Sequence, residues 1–162
     1  MITKDNELKS KITKLRLKNK KIVFTNGCFD ILHLGHQAYL KESRALGDFL
    51  IVAINSDKSV KLLKGSGRPI NGQDVRSKNL MNLKFVDAVA VFSEQTPLKL
   101  IEFLLPDVLT KGGDYAHKEI IGSNIIEANG GRVVLLPFLK GYSTTSIIKS
   151  RRKGLTDETS IG

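Results

Sequence analysis

At 162 residues the chain is long enough to bury one core without disulfides or a structural metal. Its composition, 41% hydrophobic and 26% charged, excludes a disordered or fibrous class, and no apolar run approaches the roughly 20 residues that cross a bilayer. The net charge of +10 sits at the two ends: residues 1–21 carry eight lysines and arginines against Asp5 and Glu7, and residues 149–162 carry four against Asp157 and Glu158. No stacking aromatics accompany these basic runs, so nucleic acid is not an expected partner. The first residues, MITKDNELKSK, lack the apolar centre of a secretory signal, and Cys28 is the only cysteine. A soluble cytoplasmic protein is the expectation.

In chain order, Leu8, Ile12 and Leu15 fall at i, i+4 and i+7 and predict an amphipathic helix over 5–18, within a basic N-terminal extension of residues 1–20. Strands are predicted at 21–26, 49–55, 86–92, 107–111 and 132–137. Helices are predicted at 35–46, 74–84, 96–105, 119–129 and 144–152. The strands are near-continuous apolar runs, as expected when both faces of a parallel sheet are covered. Alternating units of this length imply a single α/β domain over 21–150, a Rossmann-like doubly wound parallel sheet of about five strands, with a flexible tail at 151–162. Ligands of such sheets bind beyond the carboxyl ends of the strands. That rule puts four segments on one rim: 26–36, 55–69, 111–115 and 138–146.

The first of these, TNGCFDILHLGH, places Gly27 after a strand and Gly35 between His33 and His36 at a helix start. Glycines admit an anion close to backbone N–H groups, a helix N-terminus favours negative charge, and imidazoles that titrate near neutrality add donors. A turn with a core histidine is the plain alternative. A metal site would have to recruit Cys28 or Asp30, and no second Cys/His cluster supports it. A Walker loop is excluded because no GKS or GKT follows the glycines. In the second segment Lys61, Lys64 and Arg68 stand in a basic loop. The fourth supplies three consecutive hydroxyls, Ser143, Thr144 and Thr145, which cap a helix or bind phosphate.

GCFDILHLGH resembles the signature of the HxGH nucleotidyltransferase superfamily. LIVAINSD, LKGSGRPIN, LTKGGDY, ANGG and YSTTSII follow in an order similar to the adenylyltransferase half of the bifunctional enzyme that makes ADP-heptose. The resemblance covers about residues 21–150 and includes no kinase half, which implies a stand-alone transferase. It implies attack of D-glycero-D-manno-heptose 1-phosphate on the α-phosphorus of a nucleoside triphosphate, most naturally ATP, with release of pyrophosphate. A phosphate monoester is mostly dianionic at pH 7, its second pKa being about 6, so no protein base or nucleophile is required. In-line positioning and charge neutralisation suffice.

By the same resemblance, His33, His36 and Lys64 are the catalytic set. Asn26, Gly27, Cys28, Phe29, Gly35, Lys111, Gly113, Asp114, Ser143, Thr144 and Thr145 bind the nucleotide. Arg68 and Arg76 meet the substrate phosphate, although Arg76 could equally brace the fold. Mg²⁺ is implied as the triphosphate's companion, with Asp30 the nearest carboxylate, itself equally suited to bracing the turn. A homodimer is implied by family habit, and His117 is read as a surface residue. Glycerol-3-phosphate cytidylyltransferases carry an arginine upstream of the hydroxyl run. Phe138 and Leu139 stand there in this chain and Lys140 is the nearest cation, which weighs against a glycerol-phosphate acceptor. CTP or GTP in place of ATP, a polyol-phosphate acceptor, and a catalytically silent nucleotide-binding regulator remain open.

Overall fold

The computed structural model describes residue 1 and residues 3–113 and 119–137. The predicted helix at 144–152 and the tail at 151–162 lie outside the described residues. Helix α1 (Asp5–Arg16) leads into β1 (Ile22–Gly27), α2 (Leu34–Ala45), β2 (Phe49–Asn55), α3 (Asp57–Lys64), α4 (Gln73–Met81) and β3 (Ala88–Phe92). The chain continues through α5 (Leu98–Leu104), β4 (Val108–Gly112), α6 (Ser123–Ala128) and β5 (Arg132–Leu136). The five strands form one parallel sheet in the order β3-β2-β1-β4-β5. The chain therefore builds outward from β1 to β3, then crosses back to lay β4 on the other side of β1.

The apolar runs divide between two faces as the period of two requires. Ile22, Phe24, Phe49, Ile51 and Ala53 pack with Leu8 and Ile12 of α1 and with Leu100, Ile101 and Leu104 of α5. Val23, Leu50, Val52 and Ile54 face the opposite way, against Tyr39 and Leu40 of α2 and Leu80 of α4. The sheet is thus covered on both sides. Leu8 and Ile12 have no solvent exposure, so the basic N-terminal helix shares the core of the sheet. Lys11 and Lys14 are exposed, and Lys9 reaches the Phe103 carbonyl of α5.

One element differs from the sequence reading. Residues 57–64, read as part of a basic loop, form α3. Ser56 starts it by accepting the Ser59 N–H at 3.2 Å, and Asp57 in the first turn suits the helix dipole. Only Ser59 and Val60 are buried in this helix of eight residues, while Leu62 and Leu63 stay exposed. Its apolar pattern is too short and too ambiguous to show as periodicity.

Candidate active site

The strand order reverses beside β1, and a crevice opens where the carboxyl ends of β1 and β4 diverge. A cavity of about 260 Å³ occupies it, lined by Asn26, Gly27, Cys28, Phe29, His36, Tyr39, Lys64, Lys111 and Gly112. β1 contributes Asn26 and Gly27, α2 contributes His36 and Tyr39, α3 contributes Lys64, and β4 contributes Lys111 and Gly112. A larger cleft of about 700 Å³ lies elsewhere, by α5 and α6, and its lining includes Glu102, Glu119 and Glu127. Three carboxylates make that cleft a poor receptor for phosphate.

The two histidines owe their spacing to a reciprocal cap. His33 is the N-cap of α2 and its Nδ1 accepts the His36 N–H at 3.2 Å, while the His33 N–H points back to His36 Nδ1 at 3.5 Å. The pair is a capping box built from imidazoles. The rings stack, with centroids 3.7 Å apart and planes 15° from parallel. Because Nδ1 of His33 is an acceptor, its neutral ring carries the proton on Nε2. In both rings Nε2 is the nitrogen the cap does not use.

Burial lowers the His33 pKa. His36 is lowered to about 4, first by burial, then by His33 and Lys64 nearby, against an opposing hydrogen bond to the Ile31 carbonyl. The sequence reading expected titration near neutrality. In the fold His36 is neutral at pH 7, because burial penalises its charged form and His33 and Lys64 nearby add to that penalty. Positive charge in the cavity comes from lysines instead. Lys111, at the end of β4, has its pKa lowered by burial and partly restored by Cys28. An anion bound beside it would favour its charged form.

Gly27 leaves room for the ring of Phe29. A Cβ at residue 27 would stand 2.9 Å from Phe29 Cε2, closer than such atoms approach. Phe29 bends the chain in the left-handed region, with φ of 48°, and sets its ring edge-on to His36 at 5.0 Å. Gly35 is buried in the first turn of α2. Cys28 Sγ lies 3.6 Å from Asn55 Oδ1 at the end of β2. Gly113 adopts φ of 93° and donates its N–H to the Leu136 carbonyl, which ties the turn after β4 to β5, while Gly112 is the glycine that lines the cavity.

Asp30 and Arg76 have other duties. The Asp30 carboxylate, 1% exposed, accepts Arg68 Nε, the Ile70 N–H and the Asn71 N–H, each at 2.8 Å. Burial alone would raise its pKa, but these bonds outweigh burial and lower it. With its oxygens so engaged, Asp30 does not fit a magnesium ligand, and no cluster of three metal-binding side chains occurs among the described residues. Arg76 has no exposure and donates to the Asn71 carbonyl, the Cys28 carbonyl and Asp57 Oδ1 at 2.9, 2.9 and 2.8 Å. Its three nitrogens are spent within the protein, so of its two sequence readings, phosphate ligand or brace, the geometry matches the brace. Arg68 keeps a buried Nη2 with no hydrogen-bond partner, beside a second cavity of about 530 Å³ that it lines with Lys58 and Lys61. Asp114, His117, Phe138, Leu139, Lys140, Ser143, Thr144 and Thr145 lie outside the described residues.

Sequence reasoning missed Tyr39 as a lining residue, and of the two glycines at the end of β4 it named Gly113, where Gly112 lines the cavity. Tyr39 stands one helical turn after His36, so the i, i+3 relation was the available signal. Its hydroxyl joins a buried cluster with Thr25, Thr110 and Ser43, at 2.7 Å from Thr25 Oγ1 and 3.1 Å from Thr110 Oγ1. This cluster seats α2 on β1 and β4.

The same residues match a known sequence pattern: the cytidylyltransferase-like family aligns with residues 24–150. The chain belongs to that family. Its enzyme class is accordingly nucleotidyltransferase. This cytidylyltransferase-like chain is 54% identical over 143 residues to the "Bifunctional protein HldE" of Marinomonas sp. (strain MWYL1), covering 88% of this chain and 30% of that protein. It is 55% identical over 139 residues to the protein of the same name from Campylobacter concisus (strain 13826), covering 86% of this chain and 29% of the relative. The chain thus spans about a third or less of these relatives. A solved structure, the lipopolysaccharide core biosynthesis protein from Thermoplasma volcanium GSS1, superposes with a TM-score of 0.61 at 32% identity, covering 76% of this chain and 99% of that one. No helix among the described residues is long and apolar enough to cross a membrane.

Proposed function

We propose that this cytidylyltransferase-like chain transfers the adenylyl group of ATP to D-glycero-D-manno-heptose 1-phosphate. An oxygen of the sugar phosphate attacks the α-phosphorus, the bond from that phosphorus to the bridging oxygen of the β-phosphate breaks, and pyrophosphate leaves with that oxygen. The products are ADP-heptose and pyrophosphate. The observation that carries this reading is the stacked histidine cap beside Lys64 and Lys111 at the β1–β4 crevice. It offers N–H donors and cations to a polyphosphate, which is what in-line displacement at phosphorus requires.

The triphosphate enters as its Mg²⁺ complex, the ion travelling with the substrate. Neutral imidazoles suit this role because they donate without first needing a proton. Arg68, Lys58 and Lys61 line a second cavity whose cations suit the acceptor phosphate. The heptose acceptor and the adenine base rest on the motif resemblance, supported by the solved structure named as a lipopolysaccharide core biosynthesis protein.

Pyrophosphate release tests the reading. Purified protein is assayed with ATP, CTP, GTP and UTP against both heptose 1-phosphate anomers and glycerol 3-phosphate. Release with ATP and one heptose 1-phosphate anomer is expected. Release with CTP instead would keep the mechanism and replace the base. Nucleotide binding without release from any pair would overturn transfer in favour of a binding-only protein.

A further inference from the structure

The left-handed bend at Phe29 is held from both sides by residues distant in sequence. On one side the Cys28 carbonyl accepts Arg76 Nη1 at 2.9 Å. On the other, the Asp30 carboxylate accepts two backbone N–H groups and Arg68, and the Asp30 carbonyl accepts Asn71 Nδ2 at 2.6 Å. L-residues avoid this region of backbone space, so such a bend persists only where its surroundings over-determine it. What the bend achieves is visible in the ring. Phe29 turns back over Gly27 and lays its edge against His36. The guanidinium of Arg76 also holds Asp57 in the first turn of α3, the helix that ends in Lys64.

The geometry points to Arg76 as a positioning residue that holds the Phe29 bend, and through the Phe29 ring and α3 sets His36 and Lys64 relative to each other. This rests on reading their shared cavity as the nucleotide site. A lysine could not replace it. The acceptors at Cys28, Asn71 and Asp57 are met by three separate nitrogens of one planar fork, whereas an ammonium is a single point. Arg76 touches no substrate in this scheme.

The test follows His36 directly. Its imidazole resonances are titrated by NMR in the full chain, in Arg76→Lys, in Phe29→Leu and in Arg44→Lys. The last breaks a comparable ion pair to Asp87, remote from the cavity, and serves as the control for general destabilisation. In Arg76→Lys and Phe29→Leu the ring cover loosens, so His36 should titrate about one unit or more above its value in the unaltered chain. Arg44→Lys should leave it in place. Arg76→Lys should also lower kcat for pyrophosphate release about 10- to 100-fold while changing KM for the triphosphate far less, as misplacement of a reacting group does.

A folded Arg76→Lys protein with unchanged His36 titration and unchanged kcat would overturn the proposal. If that variant does not fold, Phe29→Leu decides, because the ring is the last link to His36; no change in its titration overturns the proposal equally. Should the unaltered chain release no pyrophosphate at all, the functional reading fails, yet the titrations still report whether the bend sets His36.

Discussion

Acid should destabilise this protein through His36 by an amount that can be isolated. The ordinary pKa of the group is 6.5 and the fold lowers it to about 4, chiefly by burial, with His33 and Lys64 adding repulsion and the Ile31 carbonyl opposing. Between those two values the unfolded chain binds a proton that the native protein refuses. Stability therefore falls as pH drops from 6.5 to about 4, and this contribution is absent above 6.5. A gap of about 2.5 units at about 1.4 kcal/mol each sets a ceiling of about 3.5 kcal/mol. His36 is only part-buried, and solvent screening brings the expectation to about 2 kcal/mol. The assay is urea unfolding of the unaltered chain and His36→Gln at pH 7.5 and at pH 4. Glutamine at this third helical position keeps a capping box but cannot titrate. Contributions shared by the two proteins, including carboxylates such as Asp30, cancel in the difference. The unaltered chain should lose about 2 kcal/mol more than His36→Gln across that interval. Equal losses in the two proteins would refute the assignment of a depressed pKa to His36.

Four further outcomes are expected. His36→Ala should cut turnover about 10²- to 10⁴-fold, measured by pyrophosphate release, with its circular dichroism spectrum unchanged, as loss of a transition-state donor does. Lys64→Ala should lower kcat/KM for the triphosphate, and unchanged steady-state kinetics would remove this lysine from the site. Leu8→Ala should cost about 2–5 kcal/mol in denaturant unfolding, because the side chain is fully buried against the sheet; a loss under about 0.5 kcal/mol would mean that α1 is not part of the core. Tyr39→Phe should cost about 1–3 kcal/mol by leaving the Thr25 and Thr110 hydroxyls short of a buried partner. Thermal melts would reveal it as a lowered Tm.

The sheet was legible because its strands are apolar on both faces. Ile22–Phe24 and Phe49–Ile54 could be buried only inside a layered α/β domain, and the predicted strand centres coincide with β1 and β2. The place of the histidine pair was legible for a local reason: an N-cap and the position that caps it in return lie three apart, so HLGH spans both within one turn. Helix α3 was not legible, since eight residues with two exposed leucines mimic a basic loop. Arg76 was ambiguous in the sequence, because a lone arginine in the first turns of a helix looks the same whether it faces a ligand or three carbonyl and carboxylate oxygens.

What the sequence by itself determined was the alternation of elements, the two-faced burial of the strands and the place of His33 and His36 at a helix start, all properties of residues close along the chain. Only the tertiary structure decided which strands are neighbours, and so that Lys111 and Gly112 stand beside Gly27 across the β1–β4 crevice. It also decided that Asp30 serves the 68–71 loop, that Arg76 is wholly engaged, and that His36 is held neutral at pH 7. The physical reason is common to all of these. A hydrophobic pattern states which face is buried, but the partner and charge state of a polar group depend on what other elements bring within a few ångströms of it.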